Sequence, residues 1–231
     1  MKKHTSYLNR RDKDILEFIA RFRVGTNTLV RDHCFEAGTS LKNVDRVLLR
    51  LERRKLIKRT PLDEGRAYYT PTRRGLALTT DQPRTPEPLT EDSLPRLLAI
   101  ATYCVANRVE RFTKHEFVEK HPELTRPGKG NNNYTLVKAD DCTKLELLLV
   151  DRGGAAHRIR SRVRRAIAQR KDLPHFFALM QAGKFRITVL TATQEQRWKI
   201  LRRIGDSFDP IEVTAFVIPQ LADLLMLRKK K

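Results

Sequence analysis

Leu56–Leu78 reads LIKRTPLDEGRAYYTPTRRGLAL, and the order of its pieces decides the first part of the chain. "LIKRT" has the composition of a strand, "PLDEG" of a turn and "RAYYTPT" of a strand coming back, so the stretch predicts a β-hairpin. "TRRGLAL" then opens a short helix. Upstream the pattern is helical. Asn9 precedes a stripe of Ile15, Leu16, Phe18, Ile19 and Phe22, with Asp12 completing an approximate capping box and Gly25 ending the helix. A short second helix runs roughly from Thr26 to Phe35, "EAGTS" makes a turn, and Thr39 or Ser40 caps a third helix, LKNVDRVLLRLERRKL. Leu41, Val44, Val47, Leu48 and Leu51 line its apolar face. Lys42, Asn43, Arg46, Arg50, Arg53 and Arg54 line the opposite one.

Three helices followed by a hairpin is the order of a winged helix-turn-helix. The YYTPTRRGLAL tail resembles the aromatic-aromatic-x-Thr-x-x-Gly ending of many bacterial winged-helix domains, and the resemblance covers about residues 8–79. It implies a recognition helix lying in the major groove and reading base edges from its N-terminal turn. Ser40, Lys42, Asn43 and Arg46 occupy that turn, with Arg50 further along the same face. Asn pairs with adenine and Arg with guanine through two hydrogen bonds each. Arg66 at the wing tip, and Arg73 with Arg74 after it, are expected on phosphate or in the minor groove.

Charge names the partner. The 231 residues carry 47 Lys+Arg against 27 Asp+Glu, a formal net charge of +20, and a field of that size attracts polyanions. Nucleic acid is the commonest one. An anionic membrane surface is the rival, but the sequence shows neither a lipid anchor nor an amphipathic helix with exposed aromatics, and its apolar runs are too short to span a bilayer. Cys34, Cys104 and Cys142 are far apart, odd in number and without CxxC spacing, which predicts a reducing compartment and no structural zinc. The N-terminus carries charge without an apolar segment behind it, so a cytoplasmic protein is expected.

Composition shifts at TTDQPRTPEPLTEDSLP, residues 79–95, which holds four prolines. Residues 80–95 carry one base and four acids, whereas residues 1–79 carry a net +10 and residues 96–231 a net +13. The expectation is a winged helix over 1–79, an extended connector over 80–95 and a second basic domain over 96–231.

That second part alternates helices with strands. Helices are expected over 94–107 and 113–121, and a loop at "RPGKGNNN" whose glycines do not match a phosphate-cradling pattern. Strands follow at Tyr134–Ala139 and Leu145–Val150, joined by the turn "DDCTK". After "DRGG" comes a helix with seven Arg and Lys between His157 and Lys171 and no acid. Arg158, Arg162 and Arg165 are expected on phosphates, with Ile159, Val163 and Ile167 packing inward. "LPHFFALMQAG", "FRITVLTA", "TQEQRWKILRRIGDSF", "IEVTAFVI" and "PQLADLLML" then read as helix, strand, helix, strand and helix. Phe176, Phe177 and Met180 are expected in the core, and Trp198 in the core or a dimer contact. The fold class is α/β, or α+β over the whole chain, with a mixed sheet.

The arrangement resembles the replication-relaxation family of plasmid and mobile-element proteins. Those have an N-terminal winged helix and then a domain similar to the restriction-endonuclease fold, in which a Pro-Asp strand precedes one ending Glu-x-Asp-Arg-Gly. The match here is VDRGG at Val150–Gly154, with the arginine helix after it. The family's context would be a plasmid, phage or integrative element. A metal-dependent nuclease needs two acids converging on one cation. Here Leu149 stands where the family has its strand glutamate, and Asn132 or Asn133 replaces the earlier acid. Glu146 points to the opposite face from Asp151, because strand residues alternate, and Asp140 and Asp141 belong to the turn. Asp151 is expected to pair with Arg152 or a neighbouring arginine instead. The reading is therefore a protein that holds double-stranded DNA without catalytic residues, metal or cofactor, as a homodimer. Its role is transcriptional regulator or origin-binding accessory factor beside a replication initiator or relaxase. The alternative is a magnesium-dependent nuclease.

Overall fold

Asn9, Thr26, Ser40 and Thr72 each stand just before a helix, and each side chain accepts a hydrogen bond from the amide three residues on, at 2.8, 3.3, 3.4 and 3.0 Å. Such caps satisfy amides that a helix start leaves without an internal partner. The computed structural model describes residues 8–62, 65–79, 89–90, 93–125, 133–139, 142–205 and 207–227. The chain divides into two compact units, Met1–Leu89 and Thr90–Lys231.

The first unit contains α1 (Arg10–Phe22), α2 (Asn27–Cys34), α3 (Leu41–Arg53), β1 (Ile57–Pro61), β2 (Ala67–Pro71) and α4 (Arg73–Leu76). The apolar stripes converge: Ile15, Leu16, Phe18, Ile19 and Phe22 of α1 are buried with Leu29 and Val30 of α2 and Val44, Leu48 and Leu51 of α3. β1 and β2 pair antiparallel from Ile57–Pro71 to Pro61–Ala67, and Tyr69 seals the core beneath them. Two expectations need correction. Helix α1 ends at Arg23, which takes a left-handed conformation, while Gly25 exchanges two backbone hydrogen bonds with Tyr69 and adds a bridge to the hairpin. Leu41 is exposed, because the buried stripe of α3 begins at Val44 and its first turn runs past the packed region.

The second unit contains α5 (Ser93–Asn107), α6 (Lys114–Lys120), a 3-10 turn (Pro122–Leu124), β3 (Tyr134–Ala139), β4 (Cys142–Val150), α7 (Ala156–Lys171), α8 (Pro174–Gln181), β5 (Phe185–Thr191), α9 (Gln194–Ile204), β6 (Glu212–Val217) and α10 (Gln220–Leu227). Its sheet is mixed, in the order β3-β4-β5-β6: the first pair is antiparallel and the other two are parallel. The whole is an α+β fold. Leu145 and Leu147 of β4, with Phe185, Ile187 and Val189 of β5, face α7, α8 and α9. The other face carries Glu146 and Leu148 and meets α5, whose Tyr103 packs edge-on against Phe216 of β6.

Here too the boundaries move. Helix α5 opens at Ser93, inside the stretch expected to be connector, and accommodates Pro95 in its first turn, where a missing N–H costs nothing. Strand β4 starts at Cys142 and not at Leu145, because Thr143 and Lys144 pair with Lys138 and Val137. Asp140, Asp141, Asn131, Asn132 and the lysine tail lie outside the described residues.

Candidate nucleic-acid interface

Helix α3 presents the residues expected to read bases. Lys42, Asn43 and Arg46 are exposed on its first turns, and the Ser40 hydroxyl is occupied as the cap. An amide–carboxylate hydrogen bond between Asn27 and Asp45 ties α2 to α3. Arg50 behaves differently: it pairs with Asp12, whose side chain is only 3% exposed. The carboxylate that the sequence assigned to a capping box therefore serves as a counter-ion linking α1 to α3.

The hairpin separates the other candidates. Arg66 is exposed just past the turn at Gly65, which needs its φ of +73°. Arg73 and Arg74 are exposed on α4, beyond the opposite end of the ladder, beside the end of α3. With ~1.5 Å of rise per residue along α3, the middle of its Lys42–Arg46 turn stands ~14 Å from its end at Arg53. Lys58 and Arg59 on β1 are exposed as well and were missed in the sequence, where a strand lysine reads as ordinary solvent dressing.

In the second unit, the arginines of α7 circle the helix and do not share one face. Arg158, Arg164 and Arg165 are exposed. Arg162 donates to the Val150 carbonyl at 2.7 Å, and burial, reinforced by Arg152 and Arg96 nearby, makes its guanidinium easier to deprotonate than usual. Arg170 is buried, donating to the Tyr134 hydroxyl at 2.7 Å and to the Ala166 carbonyl at 2.5 Å. Residues two apart on a helix are 200° apart, so the Arg-x-Arg-x-Arg spacing spreads charge around the axis. Trp198 is 60% exposed, which removes the core from its two expected places, core or dimer contact; Phe177 is exposed too, whereas Phe176 and Met180 are buried.

The two carboxylates of β4 lie on opposite faces of the sheet. Asp151 is buried and accepts from the Gly153 amide at 3.1 Å, the Gln196 amide at 3.2 Å and the Thr191 hydroxyl at 3.5 Å. Gln196 also donates to the Gly154 carbonyl at 3.0 Å, so Asp151 anchors the Gly-Gly turn to the start of α9. These amide and hydroxyl partners act beside an arginine, since the Asp151 carboxylate also interacts with the Arg162 charge. Glu146 is fully buried. It accepts from Tyr103 at 2.8 Å, Thr135 and Thr188 at 2.6 Å, and Arg186 at 2.7 and 3.0 Å. That cluster escaped the sequence reading, whose one legible signal was an acid inside the run LELLLV. Among the described residues, no three His, Cys, Asp or Glu side chains converge as a metal site, and no helix is long and apolar enough to cross a membrane.

No protein-family model matches the chain, and no curated protein does. A solved structure of TrmBL2, described as an archaeal chromatin protein showing a novel mode of DNA binding, matches 93% of this chain and 78% of its own at 15% identity and a TM-score of 0.23. At that score the function is argued from the residues alone.

Proposed function

We propose that the chain is a sequence-specific double-stranded DNA-binding protein whose first unit is a winged helix. The observation that carries this reading is the capped α3, tied to α2 through Asn27 and Asp45, which presents Lys42, Asn43 and Arg46 to solvent from one end. Arg66 and the β1 bases supply the wing's phosphate contacts, and Arg158 and Arg165 add backbone contacts from the second unit. The resemblance to replication-relaxation proteins supports service on a mobile element, as a regulator or as an origin-binding factor that meets an initiator or relaxase. A two-fold dimer would match two half-sites. The opposite facing of Glu146 and Asp151, each supplied with donors, supports holding over cutting.

The test is selection from a random duplex library at physiological salt, with footprinting of the winners in magnesium. A compact protected and uncut motif is expected. In that motif Arg46→Ala relaxes the preference at one base pair, by about 1–3 kcal/mol. Equal weakening on every sequence would show that Arg46 touches only phosphate, and cleavage within the footprint would revive the nuclease reading.

A further inference from the structure

Trp198 is the chain's single tryptophan, and it stands in solvent on a basic helix. Exposure of a large aromatic costs free energy that a soluble protein normally avoids, and here the ring is also fixed in place. The Arg197 guanidinium lies 5.4 Å from the ring centre and is itself held by a hydrogen bond to the Ala215 carbonyl at 2.9 Å. Gln194, with its amide oxygen turned toward them, accepts from the indole Nε1 at 3.2 Å and from Arg197 at 3.0 Å. The indole is therefore pre-oriented before any partner arrives, which lowers the entropy lost on contact.

Its surroundings are cationic. Helix α9 packs beside α7 on one face of the sheet. Arg202 and Arg203 are exposed on α9, as are Arg158, Arg164 and Arg165 on α7. The one acid on α9, Glu195, is paired with Lys199 at 2.5 Å. Gln196 points at the start of α7, and Trp198 sits 200° further round the helix, at the outer margin of this basic layer.

We infer that the α7–α9 face also takes unpaired strands, which Trp198 recognises by stacking against a base while the arginines follow the phosphates. A duplex hides the flat faces of its bases inside the stack. An indole on a convex helix can reach such a face only where the strand is single or opened. Phosphate contact alone would need no aromatic. The inference rests on the reading of the chain as a DNA-binding protein but not on the α3 contacts, so the two can fail separately.

Because Trp198 is the sole tryptophan, its emission reports on this place alone. The full chain is titrated with an oligothymidylate of about 15 nucleotides, within the site sizes that single-strand binders cover. The expected result is saturable quenching. Trp198→Ala then weakens oligothymidylate binding by about 5- to 150-fold, read by anisotropy of a labelled strand, and Trp198→Phe restores most of it. Affinity of Trp198→Ala for a selected duplex stays within about twofold, whereas Arg46→Ala shows the reverse pattern. Oligothymidylate that binds without changing the emission would overturn the inference and leave the duplex reading standing. So would an emission change produced by protein concentration alone, since that assigns the indole to a contact between copies. Quenching that persists when no duplex motif can be selected would keep this surface and sink the α3 reading.

Discussion

Glu146 shows what a single residue can conceal. It is fully buried in the second strand of the four-stranded sheet, yet every direction around its carboxylate is supplied: three hydroxyls and a guanidinium. The pairing registers put Thr135, Glu146, Arg186 and Glu212 in one row across all four strands, and Lys144 reaches Glu212 at 2.8 Å to close the row. Burial disfavours the Arg186 charge, but Glu146 beside it outweighs that and tightens its hold on the proton. The Tyr103 hydroxyl is pushed well above its usual range, by burial first and the carboxylate second. Removing one member of such a pair strands the other without a counter-ion. Arg186→Met should therefore cost about 3–5 kcal/mol in urea unfolding. Adding Glu146→Gln should recover about 0.5–3 kcal/mol relative to the sum of the single changes. Strict additivity in that cycle would show that the two side chains do not stabilise each other. Arg50 teaches the same lesson on a smaller scale, since nothing in the spacing of α3 marks it as Asp12's partner.

At the scale of an element, the YYTPTRRG tail acquires a mechanism. The Thr72 hydroxyl donates toward the Lys55 and Leu56 carbonyls at 2.7 and 3.0 Å and accepts from the Gly75 amide. It joins the end of α3 to the start of α4 through one oxygen. Gly75 is required for a steric reason: a Cβ placed there would lie 2.0 Å from the Leu56 carbonyl oxygen, which is backbone and cannot swing aside. Gly75→Ala should accordingly destabilise the first unit by about 1–3 kcal/mol, measured by thermal unfolding. An unchanged melting temperature would mean that α4 can lift off the hairpin at no cost. Helix α7 is the counter-example, where charge composition was legible and charge direction was not. Its arginines divide among solvent, the Val150 carbonyl and the core because a period of 3.6 cannot align residues spaced by two.

For the molecule as a whole, the net charge of +20 is shared by both units, and in the proposed DNA binding it would set salt dependence before specificity. Each phosphate neutralised contributes about 0.9 to the slope of log affinity against log salt on a duplex. Replacing both Arg158 and Arg165 with alanine should therefore flatten that slope by about 1.8 if each covers one phosphate, while the selected sequence stays the same. A changed sequence preference would place those arginines on bases, and an unchanged slope would place the duplex elsewhere.

Element order, the helix caps and the hairpin were legible in the sequence, because periodicity and turn chemistry are local properties that residues carry with them. Asn9, Ser40 and the YYTPTRRG tail each announce a neighbour a few positions away. What stands opposite a residue across the fold is not local. The burial of Glu146 among Tyr103, Thr135, Arg186 and Thr188, the capture of Arg50 by Asp12 and of Arg170 by Tyr134, and the exposure of Trp198 were decided by strand register and helix packing. Those bring together residues as many as 83 positions apart. An arginine spends its charge on whichever acceptor packing delivers to it, and only the tertiary structure says which arginines remain exposed.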